Sequence, residues 1–169
     1  YQQDLYDQKV SRDGAVEARK WVAKPGASEH HTGYAIDFSI YHDNGKSDDY
    51  TGKGKYKWIN DNAYKYGFIV RYPDHKKELT GIYYEPWHFR YVGQPHSFLI
   101  AKNDMCLEEY IEYLKQFEFG KRHLRVTQYD GKQYEIYFTR DHKVPVPRNR
   151  KYRISGNNVD GFIVTVEIQ

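Results

Sequence analysis

In Ser28-Glu29-His30-His31-Thr32-Gly33-Tyr34-Ala35-Ile36-Asp37, two imidazoles close a polar loop and a carboxylate follows inside a strand-like run. That run, Ala35-Ile36-Asp37-Phe38-Ser39-Ile40, interleaves apolar with small polar residues, a pattern that predicts a strand. A carboxylate in such a strand is costly unless a positive group meets it. Further along, Glu85-Pro86-Trp87-His88-Phe89-Arg90-Tyr91 sets a glutamate and a histidine three residues apart. They lie in an aromatic, β-branched run over 82–92 that predicts a second, longer strand, interrupted by Pro86.

Working outward, Tyr56, Ile59 and Ala63 recur at helical spacing, so Lys55 to Tyr66 is an amphipathic helix closed by Gly67. Phe68 to Tyr72 reads as a strand that pairs with 82–92 as a hairpin, across a charged turn from Pro73 to Thr80. The Gly-, Asp- and Asn-rich segment His42 to Lys55 reads as a surface loop. Short helices are expected at Asp4–Val10 and Ala15–Trp21, separated by Asp13-Gly14. Another, spaced by Leu107, Tyr110, Ile111 and Leu114, ends near Gln116. After Gly120 the strands Leu124–Thr127, Tyr134–Thr139 and Phe162–Ile168 dominate, the first two joined by a tight turn at Tyr129-Asp130-Gly131. Residues 121–169 hold 10 basic and 5 acidic side chains, net +5, against 16 and 18, net −2, before them. The expected architecture is α+β: an antiparallel sheet with packed helices over 1–119, and a small basic β module over 120–169.

A chain of 169 residues is long enough to bury a core, and no apolar run approaches the ~18–20 residues of a membrane-spanning helix. A formal charge of +3 is too balanced to indicate nucleic acid, and the basic run Arg148, Arg150, Lys151 and Arg153 reads as a solvated face. The lone Cys106 excludes an internal disulfide and a multi-thiolate zinc centre. Of eight histidines, five sit in turn-like or polar contexts, leaving His30, His31 and His88. Enzymatic zinc sites take three ligands from His, Asp and Glu and keep one position open. If the two motif strands are neighbours, His30, Asp37 and His88 converge on a metal with Glu85 beside its open face. Spacing alone leaves a second reading open, that of satisfied polar residues at a sheet edge, and either His30 or His31 reaches a metal.

Ser28 to Asp37 resembles the S-x-H-x-x-G-x-A-x-D motif, and Glu85 to His88 the E-x-W-H motif, of zinc D-alanyl-D-alanine carboxypeptidases of the VanY and LdcB type. The resemblance runs from Gln2-Gln3-Asp4-Leu5-Tyr6, similar to the end of the family's Y-R-S-x-x-x-Q-x-x-L-Y helix, to about Phe117. It implies Zn2+ held by His30, Asp37 and His88, with Glu85 as general base. It also implies Gln2, Ser28 and Tyr72 as pocket residues, with Arg71 a nearby cation. The arginine of Y-R-S falls upstream of Tyr1, so the chain is expected to be a piece of a longer protein. The implied activity is removal of the terminal D-alanine of peptidoglycan stem peptides, D,D or L,D. The alternative is a truncated wall-binding module of the same fold. The family implies an extracytoplasmic, wall-associated protein of a Gram-positive bacterium, with a monomer expected. Trp21, Trp58 and Trp87 read as tryptophans packed against a sheet rather than stacking platforms, with Trp87, next to His88, the best candidate of the three for a part at the site.

Overall fold

The computed structural model describes residues 1–168, which form two compact units, Tyr1–Cys106 and Leu107–Gln169. The first opens with helices α1 (Gln2–Asp13) and α2 (Ala15–Ala18), hinged at Gly14. A one-turn 3-10 helix, Glu29–Thr32, leads into strand β1 (Ala35–Asp37). Strands β2 (Ser39–Tyr41) and β3 (Ser47–Asp49) form an antiparallel hairpin, and helix α3 (Lys57–Asn62) continues through a 3-10 turn to Gly67. Then come β4 (Phe68–Tyr72), the single turn α4 (Lys77–Thr80), β5 (Glu85–Tyr91) and α5 (His96–Lys102). The central sheet has the order β1-β5-β4, antiparallel throughout.

Successive side chains of a strand point to opposite faces, and β5 uses this to serve two purposes. Phe89, 1% exposed, and Trp87 face a core with Tyr50, Ala63, Phe38, Ile59, Phe68 and Val70. His88 and Arg90 face the other way. Directly opposed residues in an antiparallel pair share a face, so the pairings Asp37↔His88 and Ala35↔Arg90 put Asp37 on the side of His88. Pro86 does not end β5, but the β4–β5 register shifts between Val70↔Phe89 and Tyr72↔Glu85. A proline has no N–H for the ladder, and the irregularity falls opposite it. Gly67 turns the chain into β4 at φ 87°, and a Cβ there would lie 2.6 Å from the ring of Tyr91.

Two expectations are corrected. The segment His42–Lys55 is not all surface loop. It contains β3, whose three polar, exposed residues show no apolar alternation, and Tyr50, which is buried and donates its hydroxyl to the carbonyl of Tyr56. The charged stretch after Pro73 folds into short helical turns at Asp74–Lys76 and Lys77–Thr80. Trp87 packs against the core, as expected of a tryptophan in such a strand, and its position in β5 points it away from His88.

The second unit contains helix α6 (Leu107–Leu114), and strands β6 (Leu124–Thr127), β7 (Gln133–Thr139), β8 (Tyr152–Gly156) and β9 (Phe162–Glu167). They form one antiparallel sheet in the order β6-β7-β9-β8. Central β9 buries Ile163 and Thr165 as well as Val164 and Val166, so both its faces are covered. Tyr110 and Leu114 of α6 are buried too, and the chain just after that helix is tied to β7 by the amide of Phe138 donating to Phe117.

Candidate metal centre and active site

The 3-10 turn that carries His30 is fixed at both ends. Ser28, nearly buried, accepts the His30 amide at 3.4 Å, and Gly33 closes the turn in the left-handed conformation at φ 73°. From there His30 Nε2 lies 3.3 Å from Asp37 Oδ2, and His88 Nδ1 lies 3.0 Å from Asp37 Oδ1. The two imidazoles meet edge to face, with centroids 4.9 Å apart. One ligand atom from each of His30, Asp37 and His88 falls within 4.8 Å of the others. Among the described residues this is the one such His/Asp grouping, and His31 is exposed and outside it.

Glu85 is buried, with Oε2 3.7 Å from His88 Nδ1. Burial raises its carboxyl to about 7, with the negative charge of Asp37 and Glu29 adding to the rise and His88 opposing it. Burial would lower His88, yet hydrogen bonds to Asp37 and Glu29, with the charge of Asp37 and Glu85, raise it to about 9. Three carboxylates thus hold a positive charge on one buried imidazole. Two imidazoles, a carboxylate and a demand for positive charge fit a divalent cation of the zinc class.

Glu29 has a part that the motif spacing does not announce. Its Oε1 accepts from Arg71 Nε at 2.8 Å and lies 3.1 Å from Arg90, while Oε2 stands 3.5 Å from His88 Nε2. Burial would raise its carboxyl, but His88 and the two guanidinium groups bring it down to about 2. A carboxylate behind a metal-binding histidine fixes the ring so that its other nitrogen faces the ion. The signal was present: β4 and β5 each carry an arginine among apolar residues, which calls for an acid, and Glu29 was the acid in the histidine segment without a role.

The remaining candidates are distributed as follows. Tyr72 places its ring 5.1 Å from that of His88, with the guanidinium of Arg71 over it at 4.7 Å. Arg71 is buried and oriented by Glu29. Gln2 donates its side-chain amide to the carbonyl of Ala23 at 2.7 Å, tying α1 to the segment that leads into Ser28.

Two imidazoles, an aspartate and a buried glutamate gathered beside an α+β sheet form a donor set that fits a metal ion next to a proton-transfer carboxyl. The sequence matches the VanY family model, described as D-alanyl-D-alanine carboxypeptidase, over residues 1–94, and the chain belongs to this family. It is 46% identical over 151 residues to a D-alanyl-D-alanine carboxypeptidase of Enterococcus faecium, an alignment covering 87% of this chain and 46% of that protein. The chain therefore spans about half the length of this curated relative. Among solved structures, the vancomycin-resistance D,D-dipeptidase VanXYg, in complex with a D-Ala-D-Ala phosphinate analogue, superposes with a TM-score of 0.87 at 38% identity. That match covers 98% of this chain and 68% of VanXYg. A mutant of the D,D-pentapeptidase VanY, in complex with Zn(II), gives 0.55 at 40% identity, over 65% of this chain and 64% of that one.

Proposed function

We propose that this chain carries the catalytic centre of a zinc-dependent carboxypeptidase that removes the terminal D-alanine from peptidoglycan stem peptides outside the cytoplasmic membrane. The observation that carries it is the cross-strand pair Asp37↔His88 with His30 beside it and Glu85 buried next to His88. Family membership and the Zn(II) complex of the related VanY support the choice of metal and substrate.

His30, Asp37 and His88 would hold Zn2+, which supplies Lewis acidity toward the peptide carbonyl and toward water. Glu85, a buried carboxyl beside His88, is placed to move a proton in both directions. It takes one from the attacking water and returns it to the departing D-alanine amine. Glu29 holds the His88 ring and the two arginines. Ser28, Arg71 and Tyr72 would line the substrate side, with Gln2 the further pocket residue that the family resemblance implies.

Glu85→Gln is expected to keep one metal per chain while D-alanine release from a stem pentapeptide falls by at least ~10², the low end of what general acid–base catalysis contributes. Metal analysis beside amino-acid release measures both. Turnover near the parent rate would remove Glu85 from the mechanism. Running a tetrapeptide beside the pentapeptide shows whether the cleaved bond is L,D or D,D.

A further inference from the structure

Resting on the wall habitat just proposed, we propose that the second unit carries a binding site for an anionic wall polymer built of phosphodiester-linked polyols. The site is a recess of about 250 Å³ lined by Arg125 and Thr127 of β6, Gln133 and Tyr134 of β7, Arg150, and Ile168. Two guanidinium groups from separate segments share this lining with a hydroxyl and an amide, a donor set that matches the oxygens of a phosphodiester. Glu135 is paired with Arg125 across the strands and lies 3.7 Å from Arg150. His123 Nδ1 lies 2.7 Å from the other oxygen of Glu135, so this single acid already meets one imidazole. Arg125 has no ion pair among the described residues.

The loop that supplies Arg150 adds to the charge. Between Asp141 and Asp160 the chain holds Lys143, Arg148, Arg150, Lys151 and Arg153 and no carboxylate. Arg148, Arg150 and Lys151 are exposed and run into edge strand β8, all of whose residues are exposed. Several cations on the loop beside a recess sized for one group suit a polymer with a regularly repeated anion. Several weak contacts on one ligand then add. A bilayer of anionic phospholipid offers the same phosphodiester chemistry on a flat surface, and a recess does not engage it.

The test titrates the full chain with poly(glycerol phosphate) by calorimetry at low and physiological salt. Saturable binding that weakens with salt is expected. R125A/R150A should bind at least tenfold more weakly while hydrolysing soluble stem peptide at the parent rate. R125K/R150K keeps the charge but loses the fork, and should bind at least threefold more weakly, so the site is still tested if the alanine variant does not fold. Parent-like affinity in a folded variant, or tighter binding to phosphatidylglycerol vesicles than to the polymer, overturns the proposal. An active chain that ignores the polymer also overturns it, and leaves the carboxypeptidase reading intact. An inactive chain that binds the polymer through these arginines overturns only the carboxypeptidase reading.

Discussion

Glu29 sits between the metal-ligand candidates and the charges behind them. It faces Arg71 and Arg90 on one oxygen and His88 on the other, and little of it reaches solvent. Two effects follow from losing its charge. The ring of His88 loses the partner that orients it, and outer partners of this kind typically change metal affinity ~10- to 100-fold. The two guanidinium groups also lose their acid in a largely buried place, and breaking such a pair typically costs ~3–5 kcal/mol. Glu29→Gln is therefore expected to weaken Zn2+ binding by ~10- to 100-fold in competition with a chelating dye. It should also lower the midpoint of urea unfolding without metal. Parent-like metal affinity would mean that packing alone holds His88. His88→Ala, in contrast, removes a ligand outright, and elemental analysis of the purified variant should find no stoichiometric zinc.

At the scale of elements, β5 joins the core to the site, because alternate residues of one strand serve each. Phe89 is 1% exposed at the centre of the core, and Phe→Ala at such places costs ~3–5 kcal/mol. Phe89→Ala should lose about that much in chemical denaturation, while variants of the outward-facing Trp58 change little. A loss below 1 kcal/mol would show that the sheet is held from its other face. This division also explains what could be read from the sequence. The sheet and the approach of Asp37 to His88 were legible because both motifs are local, and because an acid and a histidine in aromatic strands have few ways to be satisfied, whereas the choice of His30 over His31 came from the family resemblance. Strand β3 was not, since Ser47-Asp48-Asp49 is exposed on both faces and leaves no period to detect. Strand β8 stayed hidden for the same reason, appearing only as a basic run. Helix α5 went unassigned although it buries Ser97, Leu99 and Ile100, because seven residues give too few turns for a clear stripe. Glu29 was missed since its partners lie 42 and 59 residues away, and spacing within a motif says nothing about them.

For the whole molecule, the candidate ligands span His30 to His88, so a bound ion would clasp the 3-10 turn, β1 and β5 across most of the first unit. Binding to the folded chain alone stabilises it by about 2.7 kcal/mol when free metal is a hundredfold above its Kd. That gain belongs to the segments that would hold the ion. Backbone amides of β1 and β5 should exchange with solvent about a hundredfold more slowly when zinc is present at that excess, provided they open by unfolding of this sheet. Other exposed pairs, His42 with Asp48 and His75 with Asp104, offer one imidazole and one carboxylate each and, with fewer donors, are expected to bind metal more weakly. Hydrogen exchange followed by mass spectrometry, with and without chelator, separates the cases. Protection centred on β1 and β5, and lost in His88→Ala, is the expected pattern. Protection that follows His42 or His75 instead, or that survives His88→Ala, would place the metal elsewhere and separate this chain's zinc chemistry from its peptidase motifs.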